Sequence, residues 1–126
     1  MANPNIVNVT TIFGNTSTTA LSSTSVFSIA SNAASSGKVY KINSIVVANV
    51  DGSAAADITI NLYTSATAGS GTATAIASTI SVPADATLVV TDKTTSFYLL
   101  EDRSIGAIAS AANDLVVTAS WEEINS

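Results

Sequence analysis

Along most of the chain, apolar residues alternate with Ser, Thr and Asn, or gather in short β-branched runs that end at Gly, Pro, Asn or Asp. Period-two patterning of this kind predicts half-buried strands rather than helices. The first expected strand covers residues 6–13, with Val7, Val9 and Phe13 on one face, and stops at Gly14-Asn15. A second covers residues 25–31, where Val26, Ser28 and Ala30 oppose Phe27 and Ile29. The clearest run spans residues 38–50. Tyr40, Ile42, Val46, Ala48 and Val50 share one of its faces, and Val39, Lys41, Asn43, Ile45, Val47 and Asn49 share the other. That run is longer than ordinary strands, so a bulge or bend is expected near Asn43-Ser44.

Asp51-Gly52 is a strong turn signal. Residues 57–63 follow, with Ile58, Ile60 and Leu62 inward and Thr59, Asn61 and Tyr63 outward. After a Gly-rich connection at 65–72, Ile76, Ser78, Ile80 and Val82 alternate up to Pro83-Ala84-Asp85. Residues 88–91 and 97–100 flank Asp92-Lys93-Thr94-Thr95, and strands over 103–109 and 115–122 close the chain. Alanines near Ala54 and Ala107 favour helix intrinsically, but adjoining Gly, Ser and Asn break any long helical window. The expectation is therefore an all-β fold of eight to nine short strands. It is read as a single antiparallel β-sandwich over residues 1–126, jelly-roll or immunoglobulin-like, with a short N-terminal arm at about residues 1–5.

Composition sharpens this. Ser, Thr and Ala supply 57 of the 126 residues, and Leu, Ile, Val and Phe another 33, enough to bury a core. There is no His and no Cys, which removes the Ser-His-Asp triad, thiolate nucleophiles and the usual zinc sites. Net charge is −5, and Lys38, Lys41, Lys93 and Arg103 are the whole cationic complement. Nucleic-acid binding needs clustered cations, so no nucleic-acid partner is expected. The N-terminus lacks the pattern of a signal peptide and no run is apolar enough for a membrane helix, so no membrane partner is expected either. With few charges, the surface must be largely Ser, Thr, Asn and Ala, which suits packing against copies or a larger assembly.

Chemistry is left to nine carboxylates. Two-carboxylate glycoside hydrolysis would also need aromatic platforms, and of the available rings, Phe13, Phe27, Tyr40, Tyr63, Phe97, Tyr98 and Trp121, several read as core. A loop calcium site could draw on Asp51-Gly52-Ser53 with Asp57, or on Glu101-Asp102. The spacing is not that of an EF-hand, and turn aspartates commonly bond their own backbone. Gly69-Ser70-Gly71 lacks the Lys-Ser/Thr and the helix of a phosphate loop. The reading is of a non-enzyme with no catalytic residue, no metal and no cofactor.

Four stretches together carry a resemblance: residues 3–9 (NPNIVNV), 32–43 (NAASSGKVYKIN), 82–90 (VPADATLVV), and the tail from Tyr98-Leu99-Leu100-Glu101-Asp102-Arg103-Ser104-Ile105 to Trp121-Glu122-Glu123-Ile124. They resemble small all-β virion structural proteins of tailed phages, particularly those infecting marine cyanobacteria. The resemblance implies a capsid decoration or cement protein in the virion, assembled in the host cytoplasm. It would act as a cyclic homo-oligomer, expected as a trimer, against the major capsid protein or other virion proteins. The other role it implies is a neck, tail or head-fibre component that binds a glycan or receptor. The loops 32–37 and 65–72 would then do the binding, and they carry no aromatic residue.

Overall fold

The computed structural model describes residues 4–125. Among the described residues, nine strands make up the fold: β1 (Thr11–Ala20), β2 (Phe27–Asn32), β3 (Lys38–Asn49), β4 (Ala56–Tyr63), β5 (Ala73–Val82), β6 (Thr87–Thr91), β7 (Phe97–Leu99), β8 (Arg103–Ala109) and β9 (Leu115–Asn125). One 3-10 turn, Lys93–Thr95, separates β6 from β7. The strands form two antiparallel sheets, ordered β1-β9-β3-β6 with β7 also on β3, and β2-β8-β4-β5. Most consecutive strands cross from one sheet to the other, and β6 and β7 share one edge position between them. That interleaving is the jelly roll, and it separates the fold from an immunoglobulin-like sandwich, whose early strands pair as neighbours.

The centre of the first sheet is the β3–β9 pair. Its register slips between Ile42 and Ser44, the bulge expected from the length of the run. The extra residue flips the pleat. Tyr40 and Ile42 face the core before the bulge, and Ile45, Val47 and Asn49 are buried after it. The same break divides the far side of β3, which pairs with β7 over Tyr40–Ile42 and with β6 over Ile45–Ala48. Leu115, Val117, Ala119 and Trp121 of β9 join them in one apolar cluster with Ile58, Ile60, Ile105 and Ala107 of the second sheet.

The first strand is a correction. Residues 6–10 are not part of it: Asn8 N–H donates to Asn5 O, and Val7 N–H donates to the Asn5 side chain 3.0 Å away, an Asx turn. The strand begins at Thr11 and runs through Gly14-Asn15, so Val7 is 93% exposed. Residues 1–3 of the expected arm lie outside the described residues. β9 likewise continues past Glu122 to Asn125, because β1 and β3 both pair with it that far. β5 starts at Ala73, ahead of the expected Ile76. Inward alternation in β4 fails at Leu62, which is half-buried, while Tyr63 is buried.

Tyr63 explains Gly106. A side chain at Gly106 would stand 2.7 Å from the Tyr63 ring and 2.8 Å from Val26 Cγ2. The ring therefore lies close over Gly106 on the outer face of the second sheet, where Val26 and Ala68 also approach. Gly106→Ala should destabilise the fold by about 1–3 kcal/mol, the usual cost of overpacking. Urea unfolding should show a lower midpoint at unchanged slope; an unchanged midpoint would mean that the outer layer is not packed.

Candidate functional surfaces

The two ends of the sandwich are pinned by buried asparagines. Asn32, at the end of β2, donates from Nδ2 to Lys38 O (2.9 Å) and Leu99 O (3.1 Å), and its Oδ1 accepts from Ser36 Oγ. Asn49, at the end of β3, donates to Ala54 O (3.0 Å) and Val82 O (2.9 Å) and accepts from Asp51 N–H (2.9 Å). Each spends a buried polar side chain on backbone groups of the connections around it. The loop over residues 64–72 is held as tightly. Ser104 Oγ donates to Ser65 O (2.7 Å), Ser31 Oγ to Ala66 O, and Ala66 N–H to Asp102 Oδ1 (3.2 Å). The two loops proposed for recognition are thus stapled to the sheets.

Three of the carboxylates approach one another at one end of the sandwich, and the others lie apart. Asp51 and Asp114 meet where the β3–β4 and β8–β9 connections come together, and Val50 N–H donates to Asp114 O (2.7 Å). Hydrogen bonds from the Ser53 amide and hydroxyl hold the Asp51 carboxyl below its ordinary range. Loss of hydration, then the charge of Asp51 and its hydrogen bond, push Asp114 up. Asp85 sits beside Gly52, with its amide on Asp51 O (3.2 Å). Asp57 lies in β4, where its N–H donates to Ser110 Oγ. Glu101 is buried in the β7–β8 turn, and its Oε2 has no hydrogen-bond partner among the described residues. Asp102 beside it is occupied with Ala66. Among the described residues, no three carboxylates are grouped to hold a metal ion.

One carboxylate sits in a network that sequence reasoning missed. Glu123 accepts from Asn15 Nδ2 (3.0 Å) and Trp121 Nε1 (3.2 Å) through Oε2, and from Lys38 Nζ (3.3 Å) through Oε1. Burial pushes its carboxyl up, but the hydrogen bonds from Asn15, Trp121 and Lys38 outweigh that, and the net direction is down. Trp121 stacks on Tyr40 with centroids 5.9 Å apart and planes 14° apart. Desolvation, then the charge of Glu123, raise the Tyr40 phenol. β1, β3 and β9 are tied at one point by this cluster. The signal was the Glu two residues beyond a core Trp on the same strand face.

The remaining rings divide. Phe27 packs half-buried against the core. Phe97 and Tyr98, with Leu62, Ile76, Val90, Thr91 and Thr95, line an open apolar groove of about 440 Å³ between the edges of the two sheets. Among the described residues, no charged side chain lines it. On the other side of Tyr98, Pro4 and Ile6 share a smaller cavity with Val39 and Leu100, so the N-terminal segment lies back across the first sheet. No described helix is long and apolar enough to cross a membrane.

Glu123→Ala leaves Trp121 Nε1, Asn15 and Lys38 without their acceptor and should cost about 1–3 kcal/mol near neutral pH. The folded carboxyl is held below its unfolded value, so its stabilisation is full above the ordinary carboxylate range and is lost as pH falls through the lowered folded value. Wild type and variant should therefore converge in stability on acidification. A gap in thermal midpoint that stays constant from neutral pH down to strong acid would refute this.

No protein-family model matches the sequence, and no curated protein matches it. A solved structure of Bacillus endospore appendages, described as a novel family of disulfide-linked pili, is similar to this chain. It has a TM-score of 0.54 and 18% identity, covering 92% of this chain and 90% of that one. At that identity the likeness is one of fold, a β-sandwich shared along nearly the whole length.

Proposed function

We propose that this protein is a non-enzymatic structural component of a phage virion, acting on the capsid shell as a decoration or cement protein. The observation that carries the reading is a sandwich whose loops are pinned by Asn32, Asn49 and Ser104, with an exterior of many hydroxyls, few charges and scattered apolar side chains such as Phe13 and Val89. A stiff, weakly charged block gains affinity by repeating modest contacts across a lattice, where multivalency multiplies each one. Among the described residues, the carboxylates that would instead carry chemistry form no group able to hold a metal ion. The neighbouring Bacillus chain belongs to pili, which are assemblies too, and this supports use of the fold in polymeric structures. Disulfide linkage is not open to this chain, which has no Cys.

A second reading, a neck, tail or head-fibre module that binds a glycan, draws on the exposed Tyr98 and the groove beside it. Cryo-electron microscopy of purified particles separates the two. Hundreds of copies in symmetric clusters on the shell are expected for decoration, a few copies at the neck or fibres for the second role, and absence from the particle would overturn both. Particles lacking a decoration protein should release their genome at a lower temperature than intact ones. Equal release temperatures would remove the cement role.

A further inference from the structure

Sheet edges expose unpaired backbone groups, and proteins ordinarily blunt them with charge, proline, bulges or brevity. Three of the four edges here are blunted. β2 is six residues long with a register shift between Ser28 and Ala30. The β6–β7 edge is interrupted by the 3-10 turn bearing Lys93. β5 slips register against β4 between Ile58 and Asn61, and its Thr79 has φ 51°. β1 has none of these devices. It is ten residues, without charge or Pro, pairs with β9 in unbroken register, and is exposed or half-exposed throughout.

We propose that β1 is the contact through which two copies of this chain pair, antiparallel about a two-fold axis at Thr16, so that two β1-β9-β3-β6 sheets become one. The register follows from the hydrogen-bond parity. Leu21 N–H donates to Leu115 O, so the odd-numbered residues of β1 turn their amides to β9. Ile12, Gly14, Thr16, Thr18 and Ala20 turn theirs outward. Thr16 N–H accordingly bonds to the Asn15 side chain, 2.9 Å away, and not to β9. Outward residues pair with outward residues only when their numbers sum evenly. Centring the axis on Thr16 uses the whole strand: Ile12 stands opposite the partner copy's Ala20, Gly14 opposite its Thr18, and Thr16 opposite its own equivalent.

The side chains agree. Phe13, 62% exposed, comes opposite Thr19 of the other copy, an aromatic–β-branched pair that favours sheets. Ile12, 56% exposed, meets Ala20. No like charges are brought together, because β1 carries none. An isologous two-fold contact is also the commonest way for a chain to meet its copy. Pro4 and Ile6 lie back beside Val39 and Leu100, and Val26 turns away onto Gly106.

This inference gives the proposed assembly its first contact and rests on that reading only for its purpose. Pairing is measured on the purified protein and virion location on particles, so either can fail alone. Sedimentation equilibrium should show a dimer in the wild type. Thr16→Pro removes an amide that β9 does not use and should weaken association about tenfold or more, with the far-ultraviolet β spectrum retained. Thr16→Lys sets two like charges against each other across the axis and should do the same. Because the chain has no Cys, Thr16→Cys gives a clean readout under mild oxidation. It should cross-link to a dimer, while Ser78→Cys on β5 should not. A wild type that stays monomeric at millimolar concentration, a dimer indifferent to Thr16→Pro and Thr16→Lys, or cross-linking at Ser78→Cys in place of Thr16→Cys would each overturn the proposal.

Discussion

The antiparallel pairing of β3 with β9 is the constraint on which the other strands depend. These are the two longest strands, and each has neighbours on its other side: β1 on β9, and β6 and β7 on β3. A single extra residue at the Ile42–Ser44 step decides which half of β3 points which way. Without that bulge, Ile45 and Val47 would face outward while Tyr40 and Ile42 faced the core. With it, the bulky residues on both sides of the break reach the same apolar cluster. The break of the neighbouring edge into β6 and β7 follows from the same step, since β3 presents two separate registers there.

A chain so rich in Ser, Thr and Ala has few large side chains to fill a core, and it makes up part of the difference with satisfied buried polar groups. Asn32 and Asn49 are almost fully buried, yet their amide groups are used on backbone carbonyls and amides or on Ser36. Ser104 and Thr91 do the same on a smaller scale, bonding Ser65 O and Thr95 O. Such bonds add modest net stability, but losing one leaves a buried group bare, which costs more than the bond contributes. Their positions matter as much as their number. They sit where strands end, so they fix connections that composition alone would read as loose.

Period-two alternation exposed β9 and all but the end of β4 to sequence reading because one face of each lies on the core, and burial forces the pattern; β8, buried on both faces, does not alternate in burial. β3 was readable for the same reason, bulge included, since its length exceeds what a flat strand sustains. β1 was not. An edge strand with both faces half-wet need not alternate, and its Thr-rich run, TIFGNTSTTA, looks like a linker. The apolar residues just before it drew the strand boundary the wrong way, because the Asn5 side chain closes a turn that hydropathy does not register. The Glu123 network was hidden for another reason: Asn15, Lys38 and Trp121 are distant in sequence and meet only once β1, β3 and β9 pair.

Where such a protein can act follows from what it buries. The stacked Tyr40–Trp121 pair, the Glu123 network and the covered Tyr63 draw three of the seven rings and the best-connected carboxylate into structural work. What is left facing outward is hydroxyls, scattered large apolar side chains such as Ile12, Phe13 and Tyr98, an open groove without charge among the described residues, and backbone edges. Hydroxyls and edges recognise other backbones better than they recognise a charged or aromatic ligand, because they offer hydrogen bonds in a repeating spacing and little else. A fold that has blunted three edges and left the fourth straight has, in physical terms, limited where that recognition can occur. The surface chemistry and the sheet architecture therefore point the same way, toward contacts made along strands rather than in a cleft.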